Sequence, residues 1–182
     1  MEFLVDFWLP ILVATVVLWF MSFFFWALLP HHFGDFAKAA NEDELVAFLK
    51  TANLPAGNYK YPYAGSAKEQ NDKDYVEKFM NGPQGVLSVY NTPNMGANMV
   101  KTIFYFLVTV GTIGYITHVA CPPGDEATTF MKLFRIAGTI GVLTFASSGA
   151  MHRIWFTARH WTHVVDGVAY GLVCGLIFGF LG

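Results

Sequence analysis

Apolar residues fall into four long runs, at about residues 3–29, 100–120, 133–151 and 164–181, separated by polar stretches of very unequal length. Each run is near the ~20 residues that a helix needs to cross the hydrocarbon of a bilayer. The pattern predicts an all-α membrane protein of four transmembrane helices. The first run carries Glu2 and Asp6 where a secretory signal is basic, and no small-residue cleavage site precedes Pro30, so it is expected to remain as an anchor. Asp6 itself, near the outer end of that run, is expected to be exposed at the interface.

The long polar stretch between the first two runs has its own periodicities. Asn41, followed by Glu42, Asp43 and Glu44, reads as a helix start, and Leu45, Val46, Phe48 and Leu49 give an apolar face to about Ala52, before Pro55 and Gly57. NYKYPY alternates as a strand, DYVEKFM reads as a second short helix and GVLSVY as a second strand. The expected organisation is a first transmembrane helix in residues 1–30, a small α+β cytoplasmic loop insertion in 31–99 with a thin core, and a three-helix membrane region in 100–182. No internal repeat or pair of broken helices marks an inverted-repeat transporter.

Composition agrees with a membrane location: 54% of the residues are hydrophobic, 17% aromatic and 13% charged. A net charge of −2 gives no footprint for nucleic acid or for a polybasic lipid arm. Lys38, Lys50, Lys60, Lys68, Lys73, Lys78 and Lys101 lie between runs one and two, Lys132 and Arg135 between two and three, and Arg153 and Arg159 between three and four. An N-out, C-out arrangement therefore places nine basic residues inside and two outside. Cys121 and Cys174 are expected at different depths, as buried hydrophobes and not a disulfide.

Two features carry candidate interactions. Gly167, Gly171, Gly175 and Gly179 recur every four residues in the last run, a small-residue row of glycine-zipper type that lets another helix approach closely. Gly138, Gly141, Ser147, Ser148, Gly149 and Ala150 form a candidate complementary surface. The first run is dense in aromatics. Trp8 and Trp26 suit the two interfacial belts, whereas the FFFW stretch covers more circumference than one neighbouring helix can bury, leaving lipid, another subunit, or a pigment-like or quinone cofactor as its partner.

Five of the six histidines collect near one membrane face under this topology: His31, His32, His152, His160 and His163. His160, His163 and Asp166 are spaced i, i+3, i+6, so a helix starting by residue 160 projects them from one side. Imidazole and carboxylate suit iron, zinc or copper, and a pair such as His152 with His163, or His32 with either, is permitted as haem b ligation at the membrane edge. The plainer expectation for Asp166, a costly carboxylate inside a span, is an ion pair to Arg153 or Arg159. No HExxH, di-iron or nucleophile motif appears, and no cofactor is specified by the pattern alone.

The ordered strings PHHFGDF, NEDELVAFL, LPAGNYKYP, NGPQGVLSVYNTPNMG, HRIW and DGVAYGL resemble a family of small bacterial multi-pass proteins usually described only as uncharacterised inner-membrane proteins. The resemblance covers residues 30–182 and implies a bacterial inner membrane, with no reaction or ligand to carry over. The resulting expectation is a non-enzymatic accessory or assembly subunit whose partners are the bilayer and other membrane subunits, in a hetero- or homo-oligomer. A metal- or haem-binding redox or transport protein using the inner-face histidines is the alternative. A homo-oligomeric channel along the glycine row is a third.

Overall fold

The computed structural model describes residues 2–122, 124–125, 127–155 and 161–182, apart from the side chains of Ser148 and Trp155. Four of its helices are long and apolar enough to cross a membrane: α2 (Trp8–Ala27), α6 (Met95–Ala120), α7 (Phe130–Trp155) and α8 (Trp161–Leu181). The chain is a mostly helical, multi-pass membrane protein with a small two-stranded sheet between its first two spans. The first apolar run is interrupted near its start, where α1 (Phe3–Asp6) is set off from α2 at Phe7. Pro10 explains the break. It has no N–H to offer the Asp6 carbonyl four residues back, and its ring crowds that carbonyl.

The described residues up to Ala37, together with Met95–Gly182, form one compact unit, and Lys38–Asn94 forms another. In the membrane unit, Phe7, Ile11, Ala14 and Leu18, spaced four, three and four apart, put one buried stripe along the first span. It packs with Phe106, Val110 and Ile113 of α6 and with Tyr170, Cys174 and Phe178 of α8 in a single core. Outside that core, Leu12, Phe20, Leu107, Leu143 and Leu176 are exposed, as befits surface in contact with lipid.

Helices α7 and α8 lie closest together. A Cβ added at Gly167 would come within 2.6 Å of Ala146 Cα, one at Gly175 within 2.8 Å of Gly138 Cα, and one at Gly171 would sit on the backbone nitrogen of Val142. Residue numbers fall along α7 as they rise along α8, so the pair is an antiparallel hairpin. Gly179, the last of the row, differs from the other three. A Cβ there would first meet the side chain of Phe130, 2.7 Å from its ring, with the Phe130 carbonyl oxygen next at 3.2 Å, so at this end of the hairpin an aromatic ring fills the space ahead of the helix backbone. Gly138 and Gly141 belong to the close contact; Ser147 and Ala150 are exposed, and Gly149 lies against Val164. The glycine row is thus occupied within one chain, and both cysteines are free and buried.

The insertion contains α3 (Glu42–Ala52), β1 (Gly57–Tyr61), α4 (Ala67–Gln70), α5 (Lys73–Asn81) and β2 (Gly85–Val89). β1 and β2 pair antiparallel, with Gly57 opposite Val89 and Tyr61 opposite Gly85. Helix α3 ends at Asn53, which takes the left-handed conformation (φ 46°), ahead of the proline and glycine expected to stop it. The one element not expected is α4. Its signal is the capping box from Ser66 to Glu69, in which Ser66 Oγ accepts from the Glu69 backbone N–H at 3.2 Å and lies 3.1 Å from its carboxylate. None of the residues of Lys38–Asn94 is fully buried, so the core of this unit is as thin as its length implies.

Candidate functional site

At the end of the bundle where α2 stops, the chain turns through Leu29 in an extended conformation into a short 3-10 helix, Pro30–Gly34. Proline at its first position has no N–H to leave unpaired and presets the backbone. The tight turn brings the side chains of two consecutive residues, His31 and His32, onto the first turns of α8. His31 Nε2 is 2.9 Å from Asp166 Oδ1, and His32 Nε2 is 2.8 Å from Asp166 Oδ2, so one carboxylate receives both rings. His32 Nδ1 is 2.6 Å from Asp35 Oδ2, and the Thr162 hydroxyl donates to that same oxygen at 2.8 Å. His32 and Asp166 are each only 4% exposed.

Aromatic rings fix the imidazoles. Trp26 stacks on His32 with centroids 4.1 Å apart and planes 13° from parallel, while Phe25 meets His31 edge-on at 5.8 Å. His163 stands beside the cluster, 5.2 Å from His32 and 5.3 Å from Trp26 between ring centroids. One ligand atom from each of His31, His32 and Asp166 lies within 4.8 Å of the others, and the same holds for His32, Asp35 and His163.

An ionised carboxylate only accepts hydrogen bonds, so His32 between two carboxylates donates from both nitrogens and is an imidazolium. Burial is the largest influence on its pKa and pushes it down, but hydrogen bonds and charge from Asp35 and Asp166 together outweigh burial and hold it above 6.5. Burial likewise pushes Asp35 upward, and its bonds to His32 and Thr162 more than reverse this, leaving it below 3.8. The His32 contribution to this end of the bundle is therefore fully present below 6.5 and fades as pH rises through its higher folded-state value. The Asp35 contribution is present above 3.8 and fades as pH falls through its lowered value. In metal-free protein the imidazolium quenches Trp26, so tryptophan emission is expected to rise in a single step above pH 6.5, and the Trp26→Phe variant should lose that step.

His31, His32 and Asp166 come together, with His163 adjacent. His152 is on the wall of a cleft of about 390 Å3, whose lining also includes His163 and Asp166. Arg153, expected as a partner of Asp166, has its guanidinium 5.2 Å above the Trp161 ring; Arg159 and His160 lie outside the described residues. Sequence reading misses Asp35, Thr162 and the stacking role of Trp26. Asp35 has a signal, since it follows His32 by three residues and a 3-10 turn aligns such positions.

The opposite end of the bundle holds a second pair. His118 Nε2 is 2.8 Å from Asp6 Oδ2, with Phe7 edge-on to the imidazole at 5.8 Å. Asp6, expected only to be exposed, thus also ties the start of the first run to α6.

Comparison with protein-family models, with curated proteins and with solved structures finds no match, so the family resemblance gains no support beyond the multi-pass architecture itself.

Proposed function

We propose that this chain is a metal-binding protein of the bacterial inner membrane that holds one divalent first-row transition ion on His31 Nε2, His32 Nε2 and a carboxylate oxygen of Asp166. The observation that carries this reading is the convergence of those three groups, together with the fixing of the far nitrogen of His32 by Asp35. A histidine ligand characteristically gives its other N–H to a carboxylate, which sets its tautomer and aims its free nitrogen. Thr162 then orients Asp35, one shell further out. Metal bonds of ~2.1 Å put the ligand atoms of a tetrahedral site roughly 3.4 Å apart, and one ligand atom from each of the three residues already lies within 4.8 Å of the others. An ion would take the place of the shared protons as the three side chains close on it.

Two imidazoles and one carboxylate form a donor set suited to iron, zinc or copper, and three protein ligands leave positions open for exchange or redox chemistry. The basic-residue asymmetry supports placing this site on the cytoplasmic side, with both termini outside. Reporter fusions to either terminus are expected to be active only outside the cytoplasm.

Cobalt(II) provides the test of the ligand set. Protein purified through a histidine-free tag, stripped with chelator and titrated with Co2+, is expected to develop saturable visible d–d bands. The His31→Ala and His32→Ala variants should lose them. A colourless preparation accompanied by a fixed set of companion proteins would instead support an accessory subunit.

A further inference from the structure

We infer that the cleft beside Asp166 binds the head ring of a lipid-soluble quinone or quinol, a flat ring bearing carbonyl or hydroxyl oxygens. This goes beyond the metal reading and takes from it only the position of Asp166. The cleft draws on all four long helices, with Trp26 from α2, Tyr105 and Phe106 from α6, Phe145 from α7 and Tyr170 from α8. Its volume of about 390 Å3 lies at the lower end of the range for small-molecule sites, enough for a ring and the start of a tail.

The walls favour a flat aromatic guest. Phe106 and Phe145 each meet Tyr170 at centroid distances of 5.8 and 5.9 Å with planes 83° apart, so ring faces and edges are both presented. Two hydroxyls select for oxygens on that guest. Tyr170 is only 8% exposed, yet its hydroxyl makes no hydrogen bond among the described residues and is not sealed off, so it opens to the cleft it lines. Tyr105, 52% exposed, likewise has an unbonded hydroxyl among the described residues. A phenol facing hydrocarbon gains a hydrogen bond only from a ligand or a trapped water.

The surroundings narrow the ligand class. An aliphatic chain leaves both phenols unpaired. An ammonium ligand would have to compete for Asp166 with His31 and His32, which already face its two oxygens. Tyr105 is 52% exposed and lies within the apolar run of α6 that begins at about residue 100, so its side of the cleft opens to the lipid. Neutral carbonyl or hydroxyl oxygens on a lipid-soluble ring satisfy all of these conditions.

The probes are ubiquinone-1 and menadione, titrated into the full chain in lipid nanodiscs with tryptophan quenching as the readout and empty nanodiscs as the partition control. Wild-type protein is expected to show saturable quenching, and the Tyr105→Phe/Tyr170→Phe double variant roughly tenfold weaker binding, as for the loss of one or two hydrogen bonds. The double variant should keep its helical circular dichroism and its Co2+ bands. Quenching that only follows partition, or that is equally tight in the double variant, overturns the inference. Metal-loaded protein without saturable quenching sinks the cleft assignment alone. Saturable quinone binding that persists in a chain unable to take up metal retains the cleft and removes the metal.

Discussion

Replacing Asp166 with asparagine is expected to reduce metal affinity by more than about 100-fold, whereas Asp35→Asn costs only about 10- to 100-fold, the usual range for a group that acts on a metal through its ligand. The two substitutions are equally conservative in shape. An amide at position 166 can still accept a hydrogen bond from one histidine through its oxygen, so the helix end keeps a polar partner while losing the charge that an ion requires. An amide at position 35 can still accept from His32 Nδ1 but no longer polarises the ring. The difference therefore reads the distance of each carboxylate from the ion. Competition titration of Zn2+ against a chromophoric chelator measures it. Equal losses in both variants would place the ion elsewhere, for instance between His32 and His163 on the Asp35 side, where ligand atoms also gather.

Gly171→Ala is expected to destabilise the protein by roughly 3 kcal/mol, as for insertion of a methyl into a packed interior with no room to yield. The added carbon would land on the backbone of Val142, which cannot rotate away as a side chain can. Helix propensity acts in the opposite direction, favouring alanine over glycine by about 1 kcal/mol, so the sign of the result reports packing alone. Gly111→Ala is the matched control. A Cβ there meets nothing within 4 Å, and the substitution should be neutral or slightly stabilising. Unfolding of both variants in mixed detergent micelles, followed by circular dichroism, separates the two. A stable Gly171→Ala chain would show that α7 and α8 are less closely apposed than this hairpin requires.

The four spans are legible in the sequence because a bilayer imposes a length and a composition that few other constraints produce. Within the first span, the break at Phe7 is also readable in principle, since Pro10 forbids a regular bond to Asp6; the strong apolar run masks it. In the insertion, the strands and both longer helices follow the polar and apolar periodicities, and only the four-residue α4, held by a capping box, departs from them. The glycine row announces a close approach but not its extent. Three of its members meet a helix backbone first, whereas Gly179 meets the Phe130 ring before the Phe130 carbonyl, a distinction that depends on where α7 begins.

The site is legible in residue type but not in pairing. The partners of Asp166, His31 and His32, are 135 and 134 residues away from it in sequence. No local rule reports such a separation; it depends on α2 ending beside the start of α8. Tyr170 is obscured for a related reason, since it lies inside a glycine row whose evident purpose is close approach. Its hydroxyl gains meaning only once Tyr105 and Phe106 of another helix face the same cleft.

An ion on the histidine–aspartate cluster in the cell is the central expectation for this protein. Full-length protein extracted gently from its native membrane through a histidine-free tag, and quantified by inductively coupled plasma mass spectrometry beside the Asp166→Asn variant, tests this. Close to one transition ion per chain in the wild type and almost none in the variant is the expected result. A wild-type protein that remains metal-free even after reconstitution, or an ion retained at full stoichiometry in the variant, would contradict the account and leave the cluster as a proton-sharing clamp between α2 and α8.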